Sequence, residues 1–170
     1  MSIELSHRLN RCLKPQHLVY LQRFANVKHV KRDIHLALKL ADPLREAVGL
    51  PVGEQGCYVT GGLGTLGQES DNSVISRSSP PMGMPGLWCQ WAPSEDGRYL
   101  NWIGSPNKLY NYTKWLDYLL THFLCPWGYK LETQAVAEQE DAPKVAIVLP
   151  DYRGRLFEPN IYTRKMNFEE

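Results

Sequence analysis

The chain reads as an α+β protein: an antiparallel sheet, made of a hairpin and three further strands, carries one long helix and a basic helical amino-terminal part. Three observations predict that class. Two aromatic-rich segments, LWCQWA and RYLNWI, are joined by Pro93-Ser94-Glu95-Asp96-Gly97, whose proline start and Asp-Gly end suit a hairpin connection. Leu109, Tyr112, Leu116, Leu119, Leu120 and Phe123 then recur at helical spacing, an apolar stripe that predicts a helix from about Leu109 to Leu124. Three strand candidates follow it, and strands grouped in this way around one helix are the pattern of a mostly antiparallel sheet with the helix on one face.

The elements follow in order. Pro15 suits the first turn of a helix, where its missing N–H has no intrahelical partner, and Leu18, Leu21 and Ala25 beside Phe24 predict a helix from Pro15 to about Val27. Asp42 before Pro43, with Glu46 in the N-terminal turn and Gly49 as the stop, predicts a short helix from Pro43 to Val48. Residues 51–86 are rich in glycine and proline, with one short strand candidate, Cys57 to Thr60, and a loop of this length points to a functional segment. Ser105-Pro106 introduces the long helix; Pro126 and Gly128 end it. Then YKLETQAVA alternates, KVAIVLP is a continuous apolar run, and RLFEPNIYT contains Pro159, which confines it to a sheet edge or to two short pieces. The basic helical part (1–50), the loop region (51–86) and the sheet with its helix (87–170) are expected to form a single domain.

Composition narrows the function classes. With 170 residues, 43% hydrophobic and 22% charged, the chain is of ordinary globular type. It has no apolar run long enough to span a bilayer, and MSIELSHRLNRCLK lacks the apolar core of a signal peptide, so a cytoplasmic protein without membrane contact is expected. Cys12, Cys57, Cys89 and Cys125 stand 45, 32 and 36 residues apart, without a CxxC pair or a close Cys/His pairing. That spacing predicts free thiols, no metal and no cofactor. GGLGTLGQ does not lie between a strand and a helix in a GxGxxG arrangement, and there is no GKS or GKT, which argues against a phosphate-cradling loop.

The string LWCQW, the EDG turn, a later Trp102, the Tyr-x-Tyr-x-x-Trp-Leu-x-Tyr-Leu helix, HFL and PWGY resembles a group of short uncharacterised bacterial and mobile-element proteins. The likeness covers residues 80–131, more faintly 67–75, and implies a recurring domain of bacterial or mobile-element origin. It carries over no catalytic residue, ligand or cofactor.

Three readings of function follow. The first is a non-enzymatic binding or interaction protein of a bacterial or mobile-element accessory system, whose partner is another protein or a second copy in a homodimer. Trp88, Trp91, Trp102, Trp115, Tyr118 and His122 are its candidate contacts. Strand alternation sets Trp88 and Gln90 on one face and Leu87, Cys89 and Trp91 on the other, and an aromatic face left uncovered would mark an interaction site. The second is a small hydrolase or transferase in which Cys89 is nucleophile and His122 base, with Asp71 as the loop acid. The third is nucleic-acid binding. Net charge is only +1, yet residues 1–45 hold nine Lys or Arg against three Asp or Glu while the remainder is acidic, and Lys28, Lys31 and Arg32 would meet phosphates.

Overall fold

The computed structural model describes residues 6–51, 72–104 and 111–132. In chain order the elements are β1 (Ser6–Arg8), α1 (Pro15–Ala25), β2 (Lys31–Arg32), α2 (Ile34–Ala37), α3 (Pro43–Ala47), β3 (Val74–Ser76), β4 (Trp91–Pro93), β5 (Tyr99–Trp102) and α4 (Tyr112–Leu119), which continues as a π-helical turn, Leu120–Leu124. Helices with antiparallel strands make this an α+β protein. The strand expected at Cys57–Thr60, the last two carboxy-terminal strands and most of the first lie outside the described residues. No helix among the described residues is long and apolar enough to cross a membrane. The chain divides into two compact units: Leu13–Pro93, and Met1–Cys12 together with Ser94–Glu170.

In the unit Leu13–Pro93, α1 starts at Pro15 as expected, and its buried face is His17, Tyr20, Leu21, Phe24 and Ala25. Leu21, Phe24 and Ala25 are buried as predicted, whereas Leu18 is only half-buried and His17 and Tyr20 complete the face, with Val19 exposed. The helix stops two residues short of Val27 because Asn26 turns its N–H to the Arg23 carbonyl at 3.0 Å and its side-chain amide to Gln22 at 2.7 Å. Asp33 caps α2 by accepting from the N–H groups of His35 and Leu36, at 2.8 and 3.2 Å. α3 follows the prediction closely: Asp42 accepts from the Arg45 N–H at 3.1 Å. It ends in a Schellman closure, Gly49 N–H to Glu46 and Leu50 N–H to Arg45, with Gly49 at φ 69°. β2 and β3 pair antiparallel, and the Arg32 guanidinium donates to the Ser73 hydroxyl at 2.6 Å beneath them.

In the other unit, β1 pairs antiparallel with β5, Ser6 opposite Asn101 and Arg8 opposite Tyr99. On its other side Leu9 bridges Leu131, with Asn10 N–H to Lys130 at 2.9 Å and Glu132 N–H to Arg8 at 2.8 Å. Tyr129 is buried and Lys130 and Glu132 are exposed, the alternation expected of that segment. The hairpin turn is closed by Ser94 N–H to Tyr99 at 2.8 Å, with Gly97 at φ 68°. Asp96 accepts from the Ser94 hydroxyl and the Arg98 N–H, which together hold its carboxyl below the usual range. The predicted start of the long helix lies outside the described residues; its predicted end, Leu124, is reached through the π turn, where Cys125 N–H bonds Leu120 at 2.9 Å. The turn buries Leu120, Phe123 and Leu124 together beneath Leu116 and Leu119.

After this helix the chain reverses at Gly128, φ 82°. Arg11 fastens the reversal: its guanidinium donates to the Trp127 carbonyl at 3.1 Å and lies 4.9 Å from the centre of the Tyr129 ring. A Cβ at position 128 would stand 2.9 Å from that guanidinium. Gly128→Ala is therefore expected to cost about 1–2 kcal/mol from the left-handed backbone, with the displaced Arg11 adding to it. Urea unfolding checks this, with Gly49→Ala, whose Cβ would meet open space, as the comparison for the backbone contribution alone.

Candidate functional site

The aromatic residues separate by depth. Trp88 is 47% exposed, whereas Trp91, Trp102, Trp115 and Tyr118 are buried. The expectation that all of these contact a partner is corrected: those four are core residues. Strand alternation explains Trp91, which goes inward with Cys89 and Pro93 while Trp88 goes outward. Helix packing explains the others. Trp102 stands edge-on to Tyr112 at 6.4 Å, Trp115 edge-on to Tyr118 at 5.6 Å, and Tyr118 edge-on to Phe123 at 5.9 Å. His122 is partly exposed with its ring against Tyr118 at 4.2 Å; burial lowers its pKa, partly offset by Asp117.

The thiol–imidazole pair finds no activated thiol. Cys89 is buried, donates to the Trp91 carbonyl at 3.6 Å, and burial pushes its pKa up to about 12. An attacking thiol needs the opposite shift. Cys89 and His122 belong to different units, and Asp71 lies outside the described residues. No group of three His, Cys, Asp or Glu among the described residues is arranged to hold a metal ion.

The basic cluster is likewise sorted by burial. Lys28 and Lys31 are partly exposed, but Arg32 is buried against Ser73, so its proposed role at a phosphate is corrected: it ties β2 to the start of β3.

What remains is Trp88, an exposed ring on a firmly held backbone. The carbonyl of Leu87, just before it, accepts from the His29 N–H at 2.7 Å, and Cys89, just after it, is packed inside. His29 is itself fully enclosed. Its ring packs on Phe24 at 4.2 Å, Nε2–H donates to the Phe24 carbonyl at 2.9 Å, and burial lowers its pKa to about 4. His29 was readable in the sequence only as one of four histidines in the basic part. Its signal is the flanking pair of Val27 and Val30, which mark an inward-facing stretch just past a helix end.

Two outcomes follow. Because His29 in the folded chain titrates near 4 and an unfolded histidine near 6.5, the unfolded state binds the extra proton between those values. Stability is therefore full above about pH 6.5 and is lost as pH falls towards 4, by up to ~3 kcal/mol. Chemical denaturation of wild type and His29→Gln across this window measures it, the variant showing the shallower slope. Alkylation of the native protein with iodoacetamide is expected to modify exposed Cys12 and Cys125 and to spare Cys89 until the chain is unfolded, as peptide mapping by mass spectrometry will show.

No protein family, curated protein or solved structure matches this chain.

Proposed function

We propose that the protein is a non-enzymatic interaction protein, of the sort carried in bacterial or mobile-element accessory systems, with Trp88 as the anchor of its contact. The observation that carries this reading is an exposed indole whose two sequence neighbours are pinned, one by the His29 N–H and one by burial. Tryptophan is among the side chains that dominate interface energetics. Its backbone is ordered before any partner arrives, so association does not have to order it. The enzymatic reading loses its nucleophile in the buried, protonated Cys89, and the nucleic-acid reading loses Arg32 to Ser73.

The simplest partner is a second copy, since a self-complementary patch joins two chains without a further component. Sedimentation velocity over a concentration series is expected to show wild type associating and Trp88→Glu remaining monomeric, with little change in melting temperature. Acrylamide quenching gives an independent measure. Trp91, Trp102 and Trp115 are shielded while Trp127 is partly exposed, so the quenchable emission that Trp88→Glu removes is that of Trp88, and it should diminish as dimer forms. Wild type that stays monomeric with Trp88 fully quenchable overturns self-association.

A further inference from the structure

The unit Leu13–Pro93 carries a second feature that does not involve Trp88, an open groove of about 350 Å³ lined by Leu36, Lys39, Leu40, Asn72 and Ser73. One wall is α2 and the residues after it; the other is the chain entering β3. From Ser73 that chain runs along β3, where Ile75 is 60% exposed, to exposed Arg77, a span of about 13 Å at the rise of a strand. The surface is thus lined by Leu36, Leu40 and Ile75, with Lys39 beside the groove and Arg77 at the far end.

Its charge has no counterpart among the described residues. Asp33 is engaged in capping α2, and Asp42 is buried beneath the Arg45 N–H. Glu46 lies 4.0 Å from Arg45. Lys31, Lys39 and Arg77 meet no carboxylate among the described residues.

We propose that this groove and the adjoining β3 surface bind an acidic, extended segment of a partner protein. An apolar side chain of that segment enters between Leu36 and Leu40, and its carboxylates face Lys39 and Arg77. Arg77 stands about 13 Å along the strand from Ser73 of the groove, a reach that suits carboxylates along an extended chain and exceeds one small anion. The lining also favours protein over nucleic acid, because Leu36, Leu40 and Ile75 offer aliphatic contact and no ring on which a base could stack. Lining residues give specificity here and the rim cations give attraction that salt weakens.

The test uses the full chain and a fluorescein-labelled peptide of alternating leucine and glutamate, followed by fluorescence anisotropy at low salt. Binding is expected, weakened by about tenfold in Lys39→Glu and in Arg77→Glu, weakened also in Leu36→Ser, and unchanged in Lys114→Glu, an equal charge reversal on exposed α4 surface. The substituted side chains are exposed, and circular dichroism melts confirm that each variant is folded. Four results would each overturn the proposal: no binding by wild type, equal loss in Lys114→Glu, indifference to Leu36→Ser, or tighter binding of a single-stranded DNA oligonucleotide than of the peptide. Because Trp88 is outside this surface, Trp88→Glu should bind the peptide as wild type does, so the groove and the Trp88 contact succeed or fail separately.

Discussion

The hydrogen bond from the His29 ring to the Phe24 carbonyl closes the end of α1, and much of the unit Leu13–Pro93 depends on it. The last carbonyls of a helix have no partner within it, and here they end among Phe24, Ala25, Val27 and Val30, all buried. Water does not reach that surface, so an unbonded carbonyl there would cost about 1–3 kcal/mol. A neutral imidazole meets the need because it brings one N–H donor without a charge. The backbone N–H of the same residue then holds Leu87, which fixes the strand leading into Cys89, Trp91 and β4, the strand that packs on α1. Exposure of Trp88 follows from this anchoring: once Leu87 is held and Cys89 is inside, the pleat leaves residue 88 only the outward direction.

The other unit depends on a different constraint, the capture of the chain's first residues by its second half. β1 lies between β5 and the segment beginning at Tyr129, and Arg11 reaches the reversal at Gly128 by both a hydrogen bond and its ring contact with Tyr129. These partners are far apart in sequence, by 95 residues between Ser6 and Asn101 and by 116 between Arg11 and Trp127. Such pairings form late, because the long intervening loop must be closed before they return any energy. The unit Leu13–Pro93 is by contrast one continuous stretch whose helices are capped by residues within four positions of them. Local order there does not wait for the far end of the chain.

How far this was legible follows the same division. Asp42-Pro43, Gly49, Pro15 and the turn ending in Asp96-Gly97 act through their nearest neighbours, and each was readable from sequence because proline, glycine and a capping acid leave the backbone few alternatives. The outward direction of Trp88 and the inward direction of Cys89 and Trp91 were readable from the two-residue period. What could not be read was which of two neighbouring stripes of α1 faces inward, since Leu18 and Tyr20 are both compatible with burial and tertiary packing decides between them. The π turn was also hidden. LTHFL has no residue that demands it, and an ordinary α-helical turn would also place Leu120, Phe123 and Leu124 on one face. The capping role of Asp33 went unread because the basic residues around it drew attention to charge. Arg32 and the four buried aromatics were assigned to function on residue type, and their depth reversed that.

The distribution of polar groups supplies the functional argument. Asp33 and Asp42 cap helices, His29 closes another, Arg32 ties β2 to Ser73, and Ser94 with Asp96 forms a hairpin turn. Each of these side chains holds the end of an element. A nucleophilic thiol requires a pKa shifted down, and the buried Cys89 is shifted the other way. A contact surface requires less, an exposed side chain of large area on a backbone that does not move, with charge nearby to guide approach. Trp88 between its two pinned neighbours meets the first condition, and Lys31, Lys39 and Arg77, with no carboxylate against them among the described residues, give the same unit cationic surface. Neither feature uses the groups that His29, Arg32, Asp33 and Asp42 bond within the same unit, so a partner can engage the surface without breaking those bonds.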